Sequence, residues 1–257
     1  LIISGTGNMK NYLSGYVPYY NNKENIKSVT IEEGVTSIGD RAFESCSSLT
    51  SITIPSSVTS IRIMAFEGCS SLVNIEVEKD NSNYASENGV LFNKNRTELI
   101  KYPEGKTDTE YIIPEGVTSI GGGAFESCNS LTSVTIPEGV TSIGTSAFSG
   151  CSNLTSITIP NSVNSVGGGT FLDCSSLTSV VIPEGVTSIE DATFKGCSNL
   201  ADIVIPKSVI SIGDMAFIGC TKLTSLTILG VKNIGTGTSQ PPFMYSGIKT
   251  LKTGCDN

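Results

Sequence analysis

The 257-residue chain is acidic, with 24 Asp and Glu against 16 Lys and Arg for a net charge of −8, and it contains neither histidine nor tryptophan. An acidic chain without a basic block is a poor ligand for nucleic acid or for anionic membranes, and without histidine it cannot build a His-based catalytic dyad or triad or most zinc and copper sites. No run of about 20 apolar residues occurs, so no membrane insertion is expected in this segment.

The chain opens LIISGTG, without a methionine and without a signal-peptide pattern. That start reads as a processed or excised piece whose targeting segment and anchor lie outside it. Residues 1–25 are turn-rich and hold four of the eight tyrosines, Tyr12, Tyr16, Tyr19 and Tyr20. They show no repeat and are expected to cap the stack of repeats that starts at residue 26, because the first turn of a stack has no neighbour to cover its core. A tyrosine platform for carbohydrate, using Tyr16 and Tyr19, is the alternative use of this segment.

From residue 26 the chain repeats every 23 residues. Cys46 and Cys69 fix the phase, and Cys128, Cys151, Cys174, Cys197 and Cys220 continue it. Units run over 26–48, 49–71, 108–130, 131–153, 154–176, 177–199 and 200–222, and a further one begins at Leu223 and loses the pattern at Leu229-Gly230. A fixed period of this length predicts a solenoid over 26–257. Residues 235–247 read as a loop and Ile248–Leu251 as a partial turn of the stack, leaving the end irregular from 229.

Each unit has the same inner set. In 49–71 it is Leu49, Ile52, Ile54, Val58, Ile61, Ala65, Phe66 and Cys69. The period-2 pair at positions 4 and 6 predicts a short strand. Proline at position 7 ends its ladder, Val-Thr-Ser-Ile at 10–13 is a second extended piece, and glycine at position 14 permits a turn. Ala-Phe-x-x-Cys predicts one helical or 3-10 turn. The phenylalanines are expected to be core, and the cysteines a column of free buried thiols, because stacked parallel side chains point the same way and not at each other. Serine recurs at position 12, where a side-chain bond to backbone at a bend is expected.

Residues 72–107 break the period. Leu72, Ile75 and Val77 begin a unit, after which Val90–Phe92, Asn93–Arg96 and Leu99–Tyr102 read as strand, turn and strand. A divergent hairpin insert is therefore expected over 78–107. Its mix of charge and aromatics makes Tyr84, Lys94, Arg96 and Tyr102 candidate contacts for a partner.

The pattern LxxIxIPxxVxxIGxxAFxxCxS resembles the BspA-like (Treponema-type) leucine-rich repeat family. The insert SNYASENGVLFNKNRTELIKYP looks like the divergent hairpin repeat of that family, and ISGTGNM like its lead-in. The resemblance implies secreted or surface-exposed bacterial proteins concerned with adhesion and co-aggregation, and it carries no catalytic residues.

Enzyme templates are missing. There is no GxSxG, Walker A or HExxH, and the GGG runs at 121–123 and 167–169 lack a following P-loop lysine and act as turns. Of the outward strand positions, Glu76 and Asp202 carry carboxylates, and they lie many turns apart, whereas a two-carboxylate site needs them within about 10 Å. Asp80-Asn81-Ser82-Asn83 lacks the later glycine and glutamate of a calcium loop. No metal or cofactor is implied. Outward positions 3 and 5 are mostly Ser and Thr, which strand propensity alone favours. As a stacked hydroxyl face they are also candidates for binding: Ser51, Thr53, Ser133, Thr135, Ser156, Thr158, Ser179, Asp202, Ser225 and Thr227.

These readings predict an α/β repeat solenoid, a right-handed leucine-rich repeat of about nine turns and about 45 Å at about 4.8 Å per turn, with its parallel sheet on the concave face. The expected function is non-catalytic binding by a monomer, to host or bacterial surface proteins, with a glycan-binding module or a structural spacer as alternatives.

Overall fold

A computed structural model describes residues 1–62, 64–234 and 241–253. The chain forms two compact units, Leu1–Lys106 and Thr107–Asn257. Both are parallel-strand β-solenoids in which the 23-residue repeat is the strand register.

In the first unit, Ile2–Ile3, Ser28–Ile31, Ser51–Ile54 and Asn74–Val77 form one parallel sheet in that order. Ser28 faces Ser51 and Ser51 faces Asn74, one unit apart each time. A second sheet joins Gly7–Asn8, Val35–Ile38 and Ser60–Ile61. Residues 1–8 therefore add an incomplete coil to both sheets, and the rest of the N-terminal segment holds a 3-10 helix over Tyr20–Asn25.

In the second unit one run of strands is Glu110–Ile112, Ser133–Thr135, Ser156–Thr158 and Ser179–Val181, and a separate run is Asp202–Ile205, Ser225–Ile228 and Thr250–Thr253. The position-12 serines sit in a parallel ladder of their own, Ser119 facing Ser142 and Ser142 facing Ser165, and further along Ser188 facing Ser211. The side-chain bond to backbone expected of them is not formed among the described residues. Ser188 donates to the Glu190 carboxylate instead. The side chains that do reach backbone include threonines at position 11, where Thr59 and Thr141 donate to Thr36 O and Thr118 O at 3.2 and 3.1 Å, and threonines at position 2. Thr132, Thr155 and Thr178 each donate to the carbonyl 23 residues earlier, at 3.0, 3.1 and 3.1 Å.

The α/β expectation is corrected, because the Ala-Phe-x-x-Cys segment is not helical. Positions 16 and 20 are left-handed in coil after coil: Arg41 and Ser45, Ser146 and Gly150, Gly169 and Asp173, Ala192 and Gly196, Met215 and Gly219. A left-handed residue every fourth position stops an α-helix from propagating. It instead turns the amides at 18 and 20 toward the next coil. Phe43 N donates to Ala65 O at 2.8 Å and Ser45 N to Glu67 O at 2.7 Å, and in the second unit Phe171 N donates to Thr193 O at 2.9 Å and Asp173 N to Lys195 O at 2.7 Å. The segment thus supplies a third inter-coil ladder.

The glycine at position 14 has a different reason from the turn first expected. A Cβ on Gly39 would lie 2.2 Å from Lys10 O, and one on Gly167 would lie 2.5 Å from Thr145 N. Backbone of the adjacent coil occupies the place of the side chain.

The core is the repeated inner set, most of it buried in both units, with Ile61 and Val77 partly buried against it. Phe43 stacks on Phe66 at 5.9 Å. In the second unit the stack runs Phe125, Phe148, Phe171, Phe194, Phe217 and Phe243, with centroids 4.9 to 5.7 Å apart. Phe243, in the stretch read as loop, thus continues the column, and Phe217 N donates to Pro242 O at 2.7 Å. Residues 235–240 of that loop lie outside the described residues. All seven column cysteines are free and buried. Their thiols are used: Cys69 Sγ donates to Phe43 O, and Cys174 and Cys197 to Phe148 and Phe171, at 3.1 Å each. Burial holds these thiols protonated, Cys46 up at about 11 and Cys174 and Cys220 at about 12.

Candidate functional site

The outward strand positions are the surface that the repeat leaves free. In the first unit Ser51 and Thr53 are exposed, and they face Asn74 and Glu76 in register. In the second unit Ser133, Ser156 and Ser179 form one column and Thr135 and Thr158 the next, ending at Val181. Asp202 and Val204 pair with Ser225 and Thr227 in the same way. Exposure grades along the face: Thr135, Thr158, Ser156, Ser179 and Asp202 are exposed, while Ser133, Ser225 and Thr227 are half-buried. Alternation puts the intervening residues, such as Val134, Ile157 and Ile203, in the core. The predicted residues are therefore assembled into columns by the ladder itself.

The sequence reading passed over the apolar members of this face. Ile112, Val181 and Val204 occupy position 5 and are 73%, 68% and 53% exposed. The signal was available, since valine or isoleucine replaces the threonine that other copies carry there. Val181 and Val204 also border a cleft of about 310 Å³ lined by Ser179, Val180, Ile182, Glu184, Asp202, Ile203, Pro206 and Leu229.

The insert is a three-stranded element that packs on the strand Asn74–Val77. Three antiparallel strands, Tyr84–Glu87, Val90–Asn93 and Glu98–Lys101, follow one another. The first was missed, although Asn88-Gly89 marks the turn between it and Val90–Asn93, with both residues left-handed. Of the four candidate contacts, Tyr102 is corrected: it is 1% exposed and belongs to the core with Val90, Leu91, Phe92 and Leu99. Lys94 is exposed, but its ammonium donates to the carbonyls of Lys79 and Asn81 and so closes the insert. Arg96 is exposed and pairs with Glu87 at 2.9 Å. Tyr84 is half-buried, its hydroxyl accepts from Ile61 N at 2.8 Å, and burial raises its phenol above the ordinary range.

Asn81, in the segment compared with a calcium loop, is fully buried with both ends of its amide engaged. It donates to Pro55 O and Val58 O at 2.8 and 2.9 Å and accepts from the amides of Asn83 and Tyr84. Glu104 is also buried, accepts from Gly68 N at 3.0 Å and pairs with Lys101 at 3.3 Å. Burial pushes its carboxyl above the ordinary range, and Lys101 opposes that shift. Both side chains anchor the insert to the preceding coil.

At the N-terminus Tyr16 is exposed, whereas Tyr19 is half-buried and its hydroxyl donates to Ala42 O. The ammonium of Lys23 lies 4.2 Å over the ring of Tyr20. Of the two tyrosines proposed for a carbohydrate platform, Tyr19 is committed to the fold.

Comparison with known proteins agrees with this architecture. The family model for the BspA type leucine rich repeat region, in six copies, matches residues 17–109 and 104–224. A search among curated proteins found no match. Among solved structures, a leucine-rich repeat protein from Eubacterium ventriosum is similar at 27% identity and a TM-score of 0.68, over 99% of this chain and 92% of the other. A leucine rich cell surface protein from Faecalibacterium prausnitzii is similar at 28% identity and a TM-score of 0.61, over 90% of this chain and 60% of that protein. The pneumococcal vaccine antigen PcpA is similar at 26% identity and a TM-score of 0.61, over 90% of this chain and 52% of the antigen. The chain thus spans little more than half the length of the last two. With a family model matching most of its length, the chain belongs to the BspA-type leucine-rich repeat family.

Proposed function

We propose that the chain is a non-catalytic protein-binding module that works outside a bacterial cell, in adhesion to host or neighbouring-cell proteins. The observation that carries this reading is the outward strand face of the second unit. Its columns are held in register by two parallel ladders, expose small hydroxyls, and include aliphatic side chains that a solvent-facing strand would ordinarily replace by polar ones. Repeat solenoids offer extended surfaces of this kind, where binding needs no deep cavity. Family membership adds support, as do the descriptions of two similar structures as a cell surface protein and a vaccine antigen.

The test is interferometry of the full chain against a panel of purified extracellular-matrix proteins, with a glycan array in parallel. The paired variant Thr135→Arg and Thr158→Arg changes exposed positions only. The expected result is binding to at least one protein, weakened tenfold or more by the variant. Binding to no protein, binding that the variant leaves unchanged, or binding confined to glycans would overturn the reading.

A further inference from the structure

The second unit has one place where its strand face departs from the repeat in three ways at once. Ser179–Val181 closes one run of parallel strands and Asp202–Ile205 opens the next, so the ladder lapses between them. The amide of Ala201 reaches Thr178 O at 3.4 Å, where the equivalent bonds at Thr155, Thr178 and Thr224 measure 3.0, 3.1 and 3.1 Å. At this lapse the outward position 5 becomes valine twice in succession, Val181 and Val204, both more than half exposed. Position 3 changes as well, from serine to Asp202. Beside them the cleft is lined by the buried residues Val180, Ile182, Ile203 and Pro206.

Among the described residues two charged ones line the cleft, Glu184 and Asp202, and both are acidic and exposed. Neither is in an ion pair among the described residues. Lys207 follows Pro206 and lies outside the lining. About 310 Å³ is at the small end of the range for ligand sites and suits one or two aliphatic side chains. Exposed valines beside two exposed carboxylates are complementary to an aliphatic side chain that has a cation next to it in sequence.

We propose that this cleft takes an extended peptide segment of a partner protein, seating an aliphatic side chain against Val181 and Val204 and placing a neighbouring lysine or arginine on Asp202 and Glu184. The inference rests on the protein-binding reading above and names the chemistry of the partner. Two Val→Thr changes remove two methyl groups from the contact, which corresponds to about tenfold in affinity. The charge contacts are exposed, so they weaken with salt.

The experiment uses the full chain and three labelled synthetic peptides of equal length, with Leu-Lys, Leu-Glu or Ser-Lys alternation inside Gly-Ser flanks, read by fluorescence anisotropy. The variants are V181T with V204T, and D202S, each the residue that other copies carry at that position, so the fold tolerates them. The Leu-Lys peptide is expected to bind best, to weaken about tenfold with the double valine variant, and to lose most of its salt dependence with D202S. Equal binding of the Leu-Glu peptide, no binding of Leu-Lys, or no change in the valine variant would overturn the proposal. The matrix panel separates the two readings. If the valine variant keeps its panel binding in full, the cleft fails and the broader reading stands; if the parent chain binds nothing on the panel, the broader reading fails as well.

Discussion

Replacing Phe171 by alanine tests the packing account at its most loaded point. The ring is fully buried and stacks on Phe148 at 5.7 Å and on Phe194 at 5.5 Å, nearly parallel to both. Truncating a buried Phe to Ala costs about 3–5 kcal/mol in a core that cannot collapse. Collapse is blocked here, because Phe171 N and O are fixed by the bonds to Thr193 O and from Cys197 Sγ. Each neighbouring ring also loses a partner, and aromatic pairs contribute about 0.5–1.5 kcal/mol beyond area. Urea unfolding followed by circular dichroism gives the stability, with the singles Phe171→Ala and Phe194→Ala and their double completing a cycle. The expected loss is about 3–5 kcal/mol for each single, with a coupling of about 0.5–1.5 kcal/mol between them. Phe125→Ala, two column places from Phe171, should instead combine additively with it. A loss under about 1 kcal/mol for Phe171→Ala, or equal coupling to Phe194 and Phe125, would refute the column as a chain of nearest-neighbour contacts.

Gly167→Ala should lower stability by about 1–3 kcal/mol, the usual cost of overpacking, because its Cβ would meet Thr145 N at 2.5 Å; thermal melting checks it. Ala192→Gly should do the reverse and stabilise by roughly 0.5–1 kcal/mol in urea, since Ala192 is left-handed at φ 55 where the equivalent residue is Gly169. The seven column thiols should resist an aromatic disulfide reagent at pH 8 in the folded chain and react in denaturant, because all seven are buried and burial raises those of Cys46, Cys174 and Cys220. For Glu104, burial raises the folded-state carboxyl, so its stabilising contribution is complete below the ordinary range near 4.5 and is lost as pH rises through the raised value. Glu104→Gln, which keeps an acceptor for Gly68 N, should therefore flatten the fall of stability with pH above about 4.5, measured as melting temperature against pH.

Sequence made the coil legible where one physical cause acts on every copy. The 23-residue spacing of Cys46, Cys69 and their successors is the strand register itself, and the alternation of Ile52 and Ile54 with Ser51 and Thr53 is the division between core and surface. Where two causes compete the reading failed. Ala-Phe-x-x-Cys has helical spacing, and Ser45 and Ala192 are ordinary residues in left-handed conformation, but Gly150, Gly169, Gly196 and Gly219 at the same two positions of other coils were a signal that the spacing outweighed. The glycine at position 14 looked like a turn residue and is a close-approach residue, which only the neighbouring coil reveals. In the insert, charge and aromatics suggested contacts, yet Tyr102 is consumed by the core and Lys94 by the carbonyls that close it. The candidate face was legible as Ser and Thr columns, while its most distinctive members, Val181 and Val204, stood out only as exceptions to them.

The central claim is that the outward strand face of the second unit binds protein. Cross-linking mass spectrometry on the chain bound to the matrix protein selected by the panel tests it most directly, with photoreactive groups placed singly at Thr135, Thr158, Ser179 and Asp202 and, as controls, at Tyr16, Arg96 and Ile210. The account predicts cross-links from the first four positions, strongest at Ser179 and Asp202. Cross-links confined to Tyr16 or Arg96, or to Ile210 of the other ladder, would contradict it.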